Sequence, residues 1–225
     1  MNCARNQRLE RMSSAKPINT QRINLSLIKD LVLFGARREK WVMFREHMDD
    51  ALKQGGRVVT AAAQSHDARA IANYILDRAP QLGVERLTIM QLLKLIYLSH
   101  GWSLAFDETP LVEQNPQAWQ YGPVYPTVYR ALNHSGGNPV TDRIKDRLTG
   151  SQFYPNLTDY QRRVIDAVLK SYGKKHAFEL SKITHQDGGP WQTTYDAKGA
   201  YSEISLDEMK SHYKELAKAR GVKSL

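Results

Sequence analysis

Cysteine is almost absent from this chain of 225 residues: Cys3 stands alone. One thiol can close no disulfide within the chain and build no thiolate metal cluster, so a reducing, cytoplasmic setting is expected. Long apolar runs are lacking as well. The longest near the start, Leu31 to Phe34, falls far short of the roughly 20 residues that span a bilayer, and no secretory leader is visible. Neither a membrane protein nor a secreted one is expected. Glycine and proline, at 14 and 9, are too few for a fibrous or low-complexity chain, while 41% hydrophobic and 24% charged residues are globular values.

Catalytic and metal-binding patterns are also missing. No two of the seven histidines lie three or four residues apart, so no zinc motif is formed and no metal or cofactor is expected. The pairs Gly55-Gly56, Gly136-Gly137 and Gly188-Gly189 lack the lysine of a phosphate loop and the spacing of a dinucleotide fold; they read as turns. His185 with Asp187 could orient a base, yet spacing supplies no activated nucleophile. An enzyme is not expected, and catalytic residues are assigned to none. His100 falls on the apolar face of a helix and reads as a core histidine bonded to a backbone carbonyl.

What the chain does have is an excess of positive charge, +9 at neutral pH, unevenly placed. Residues 1–66 hold 12 Lys and Arg against 6 Asp and Glu, whereas residues 67–225 hold 20 against 17. The body is therefore near neutrality, and the excess belongs to a basic extension over residues 1–62, partly disordered or helical, with helix anchors between Gln21 and Lys53. A start at Val58 or Val59 would leave that extension untranslated. The domain proper is assigned to residues 63–225.

Its helix starts are written in local chemistry. Asp67 caps a helix carrying Ala68, Ile71, Ala72, Ile75 and Ala79, stopped by Pro80. Thr88 and Gln91 form a capping box with Leu87 and Leu92 as its staple; Thr158 with Gln161, and Ser205 with Glu208, repeat the box. The helix from Ile89 is apolar on more than one side, through Leu92, Leu93, Ile96 and Leu104 and through Leu95, Leu98, Trp102 and Phe106, which makes it the buried centre of the core. Helices with Val164, Ile165, Val168 and Leu169, and with Met209, Tyr213 and Leu216, are single-faced and pack outside it. Extended pieces at Pro110–Glu113 and Gln117–Tyr121 suggest a small β-hairpin, and Pro126 opens a helix with Val128, Tyr129 and Leu132 on one face. The fold class is mainly α: a single helical domain around a buried central helix with a small β-hairpin.

The densest oddity is the run from Ala118 to Tyr129. Trp119 and Tyr121 would share one side of a strand, the Gly122-Pro123 step forces a turn, and Tyr125 and Tyr129 add aromatic surface beyond it. These rings either lock the hairpin onto the central helix or form a rigid platform for a partner, because tryptophan and tyrosine dominate interface hot spots. Tyr125→Ala is expected to weaken partner binding and leave the fold intact.

The ordered set Leu92, Lys94, Leu95, Tyr97, His100, Gly101, Trp102 and Leu104, then Pro110-Leu111, Ala118-Trp119, Tyr121-Gly122-Pro123-Val124 and Tyr129, resembles the Panacea domain of phage-associated GepA-like and SocA-like antitoxins. Leu180-Ser181, Thr184-His185 and Gly189-Pro190-Trp191 are similar to that family's second signature. Leu93 departs from it, standing where the family often has glutamine. The resemblance covers roughly residues 66–195 and implies a helical prophage-associated antitoxin that neutralises a cognate toxin, encoded in the same operon, by direct binding. Trp119, Tyr121, Gly122, Pro123, Tyr125, Tyr129, His185 and Trp191 are the candidate partner-binding residues. Three rival readings are a nucleic-acid role, in which the basic extension binds operator DNA as an autoregulator, a hydrolase using His185, Asp187 or His100, and an adaptor that hands the toxin to a protease.

Overall fold

The computed structural model describes residue 46 and residues 64–221. The expected helix between Gln21 and Lys53 and the boundary near Ala63 lie outside the described residues. In chain order the elements are α1 (Ala68–Arg78), a 3-10 turn (Pro80–Leu82), α2 (Ile89–Phe106), β1 (Gln117–Trp119), β2 (Gly122–Val124), α3 (Pro126–Leu132), a second 3-10 turn (Asn133–Ser135), α4 (Asp159–Tyr172), α5 (Ala177–Thr184), α6 (Pro190–Lys198), β3 (Ser202–Glu203) and α7 (Leu206–Ala219). The expected mainly helical architecture is present. Among the described residues no helix is long and apolar enough to cross a membrane.

The local start signals act as their chemistry requires. The Asp67 carboxylate accepts the Arg69 amide at 2.7 Å and opens α1. At α2 the box closes both ways: the Gln91 amide donates to the Thr88 hydroxyl, and the Thr88 amide donates to the Gln91 side chain at 3.0 Å. The remaining amide hydrogens of Gln91 reach the Lys175 carbonyl at 2.9 Å, which ties the start of α2 to the link between α4 and α5. Thr158 and Gln161 close the same box at α4. Ser205 caps α7 by accepting the Glu208 amide.

Helix α2 is the centre, with fifteen of its eighteen residues buried. It packs against α1, α3, α4, α5, α7 and β2. A fully buried leucine or isoleucine contributes about 1.5–3 kcal/mol, so Leu92, Leu93, Leu95, Ile96, Leu98 and Leu104 together match the whole net stability of a small domain, about 5–15 kcal/mol. Around α2 the other helices show one buried side. On α7 this is Met209, Tyr213 and Ala217, spaced by four residues.

Gly101 explains how α7 seats. A Cβ at that position would come within 2.2 Å of the Tyr213 ring, so the missing side chain makes room for it. The ring meets Trp102 edge-on at 5.2 Å and Tyr97 at 6.2 Å.

The β element differs from the expectation in place and size. β1 pairs antiparallel with β2 across the two residues Gln120 and Tyr121, so the turn precedes the Gly-Pro step, which itself lies in β2. Pro123 is tolerated there because β2 is the edge of a sheet ordered β2-β1-β3. The third strand, two residues long, returns from beyond α6. Pro110–Glu113 instead runs beside His66, whose amide donates to the Leu111 carbonyl at 3.0 Å. Two short helices, α5 and α6, carry too few apolar residues to mark a stripe. The long connection before α4 is held by buried Asn73, which donates to the carbonyls of Ile144 and Phe153 and accepts the Ile144 amide.

Gly101→Ala is expected to lower stability in urea denaturation by about 1–3 kcal/mol, the usual cost of overpacking. Tyr213→Leu in that background should recover part of the loss; additivity of the two substitutions would refute the close approach as the reason for the glycine.

Candidate functional site

The hairpin backbone is where distant segments meet. Gly122 has φ +103°, a conformation that favours glycine, and a Cβ there would approach Lys94 Cε at 2.6 Å, Lys94 Nζ at 2.9 Å and His185 Nε2 at 2.7 Å. Lys94 comes from the middle of α2, and His185 follows the last turn of α5. The Lys94 amine donates to the Pro123 carbonyl at 3.2 Å, and the Ser181 hydroxyl of α5 donates to the Tyr121 carbonyl at 3.4 Å. Lys94 and Ser181, from two helices, therefore hold one short turn by hydrogen bonds, and His185 packs against it.

The second aromatic group joins it directly. The imidazole of His185 stacks on Trp191 with ring centres 3.7 Å apart and planes 4° from parallel. Trp191 stacks in turn on Tyr195 at 5.1 Å, and its indole N–H donates to the Trp119 carbonyl at 2.9 Å. Trp119 is met edge-on by Tyr129 at 5.0 Å and by Tyr201 at 5.2 Å. Of the eight residues singled out from sequence, Trp119, Tyr121, Gly122, Pro123, Tyr129, His185 and Trp191 thus form one connected group. Asp187 is exposed, and Trp191 holds the His185 ring from its face.

Tyr125 stands apart. It is completely buried, and its hydroxyl shares a hydrogen bond of 2.8 Å with Nδ1 of His100. It offers no surface, and Tyr125→Ala would take a ring out of the core instead of trimming a platform. The same contact corrects the partner expected for His100: the ring is in the core, but bonded to a tyrosine hydroxyl. Burial pushes that imidazole down to about 3, so it is neutral.

The exposed aromatic side chains of this region are Tyr121 at 67%, Tyr201 at 66% and Phe178 at 71%. Phe178 precedes Ser181 by one turn on α5, on the side where Ser181 meets the hairpin. Tyr201 has φ +69° although it is not glycine; its amide donates to the Ala118 carbonyl at 2.8 Å, which fixes the strained residue beside Trp119. Sequence reasoning missed Phe178 and Tyr201, and named Lys94 only within the family resemblance. Lys94 alone left a physical signal, as the one formal charge inside a helix apolar on all sides.

Electrostatics sets the protonation of the group. Burial pushes the Lys94 amine down to about 7. Burial first and the Lys94 charge second push His185 down to about 4, with the Tyr121 carbonyl opposing the shift. At neutral pH the imidazole is uncharged. Among the described residues no three His, Cys, Asp or Glu side chains gather as a metal site. The arrangement can present rigid aromatic surface around a fixed turn.

The sequence profile of the family described as "Antitoxin SocA-like, Panacea domain" matches residues 92–192, which include Lys94, the hairpin, His185 and Trp191. The chain is similar to Antitoxin SocA of Caulobacter vibrioides (strain NA1000 / CB15N), with 35% identity over 152 residues, 66% of this chain and 80% of that protein. No solved structure matches.

The buried lysine predicts a pH signature. An unfolded lysine keeps its proton up to its ordinary value of 10.5, whereas Lys94 in the fold has released most of it above about 7. Between those values the unfolded chain holds more protons, so stability rises with pH, by about 2 kcal/mol from pH 7 to 9. Denaturation of the wild type and of Lys94→Met at both pH values tests this: the variant should lose that increment, and an equal increment in both would count against it.

Proposed function

Because the chain belongs to the SocA-like, Panacea-domain antitoxin family, we propose that it is the antitoxin of a toxin–antitoxin pair. It neutralises a cognate toxin, encoded in the same operon, by direct protein–protein binding and without catalysis. The observation that carries the docking site is the convergence of the family's two signature segments on one turn, with Tyr121, Tyr201 and Phe178 exposed around it. Tyrosine and tryptophan supply large contact area at low entropic cost and account for most hot spots. Residues 63–225 act as the antitoxin domain in this reading, and the cytoplasm is where both proteins meet. Trp119 meets the exposed ring of Tyr201 and is held in turn by Tyr129 and by Trp191, on which His185 stacks, while Gly122 and Pro123 set the path of the turn.

The rival DNA reading draws only on the basic excess of residues 1–62, and the adaptor reading would show as toxin loss that requires a protease. Direct binding is separated from both by a stable complex of the two purified proteins.

The test uses the product of the adjacent reading frame. Co-expression should abolish its toxicity, and the two proteins should co-purify. Tyr121→Ala is expected to weaken the complex about thirtyfold, the scale of a 2 kcal/mol hot spot, with the melting temperature unchanged. Leu148→Ala, at a residue 96% exposed on a loop remote in sequence from the hairpin, should bind as the wild type does. Full affinity in Tyr121→Ala would reject the turn as the docking site; absence of any complex would reject direct neutralisation.

A further inference from the structure

We propose that Lys94 and His185 are positioning residues that clamp the backbone at Gly122 and so hold the Tyr121 turn in its partner-ready conformation. The proposal rests on the docking reading above for its purpose, but the clamp itself stands on geometry within the chain.

A lysine has no packing reason to be where Lys94 is. Its side chain is 0% exposed in the middle of α2, between Leu93 and Leu95, and an apolar residue of similar length would fill the space without desolvating an amine. What the amine does is donate to the Pro123 carbonyl, in β2 just past the turn. Its last methylene and nitrogen also lie against Gly122, where His185 Nε2 arrives from α5. The turn has only two residues, and the Tyr121 carbonyl is taken by Ser181. Its backbone is thus bonded at Tyr121 and Pro123 by side chains from two neighbouring helices, and at Gly122 it is packed between Lys94 and His185. The Tyr121 ring is left outside, 67% exposed. That combination, a fixed backbone under a free side chain, is preorganisation: a turn already held in one conformation loses less entropy on binding.

Glycine at 122 is required twice over. The φ of +103° strains any other residue, and a Cβ would displace both clamping side chains. His185 is itself seated by its stack on Trp191, so the second signature segment reaches the turn through a rigid ring pair. The two clamping groups are also electrically coupled: the Lys94 cation disfavours a proton on His185, and the Tyr121 carbonyl acts on the same imidazole. Loss of the Lys94 charge should therefore be felt at His185, a response that packing alone would not produce.

Nuclear magnetic resonance of the full chain tests the clamp without a partner. In the wild type the His185 ring signals should titrate with a midpoint near 4, and the Tyr121 and Gly122 amide signals should be single and follow the same midpoint. In Lys94→Met the His185 midpoint should rise by about one pH unit, as expected when a nearby like charge is removed. The Tyr121 and Gly122 amides should then broaden or double. Affinity for the adjacent-frame toxin should fall about tenfold, the scale of one lost hydrogen bond from a charged group, with the melting temperature at pH 7 equal to or above that of the wild type. Unchanged His185 titration with sharp turn amides in the variant would overturn the clamp, as would amides that titrate independently of His185 in the wild type, which decides the matter even if the variant does not fold. If Tyr121→Ala leaves toxin affinity intact while these signals behave as described, the clamp stands and the docking reading fails.

Discussion

The burial of α2 on every side is the constraint from which the rest of the structure follows. A helix that no longer meets water satisfies its backbone internally, but each departure from an apolar side chain needs a specific answer. Three of the departures in α2 are each answered by a different element. Lys94 is answered by the hairpin, through the Pro123 carbonyl. His100 is answered by Tyr125, at the start of α3. Gly101 is answered by the Tyr213 ring of α7. The polar and small residues of the central helix therefore decide which element lies against which part of it, while the leucines and isoleucines supply the burial energy without choosing a neighbour.

The candidate site is a consequence of the first of these answers. Once Lys94 draws the hairpin down, Gly122 lies within reach of His185, and the stack on Trp191 brings α6 beneath Trp119. Each aromatic pair adds about 0.5–1.5 kcal/mol beyond its burial, less than the six apolar side chains of α2 provide. The site is therefore not what makes the domain fold. Its contacts instead settle a geometry, that of a two-residue turn and the rings around it. A neutral imidazole suits that role, since a charged one stacked on an indole beside a lysine would be repelled and desolvated together.

Sequence made the helices legible because their signals are local. Thr88 with Gln91 and Thr158 with Gln161 are complete within four residues, and the apolar pattern of α2 needs no knowledge of its neighbours. The expected hairpin of Pro110–Glu113 with Gln117–Tyr121 takes the wrong partner segment, Gly122–Val124 being the strand that pairs, because three-residue strands show too little alternation to fix their register and the Gly-Pro step mimics a turn. β3 and the exposed ring of Tyr201 are set by pairing with β1 across most of a hundred residues, which no window contains. Tyr125 shows the deeper limit. An aromatic residue beside a turn is written the same way whether it faces a partner or the core, and the choice is made by His100, 25 residues earlier in the chain. The resemblance to the Panacea domain names Lys94, Gly122 and His185 without saying that they meet at one turn.

Two backbone positions in left-handed conformation, Gly122 and Tyr201, lie at either side of β1 near Trp119. At Gly122 that conformation is free of steric cost, whereas at Tyr201 it costs on the order of 1 kcal/mol that a glycine would avoid. A glycine there would keep the hydrogen bond from its N–H to the Ala118 carbonyl and lose only the ring. The ring covers the edge of Trp119 yet remains two-thirds exposed, so its burial recovers little of the strain. Lys94 presents the same imbalance inside the fold, a group less stable than its apolar substitute in a position that controls the turn. Both residues make sense if the quantity being kept is the arrangement of rings around Tyr121 and not the stability of the domain, because local strain and buried charge persist where a surface must hold one shape for another molecule.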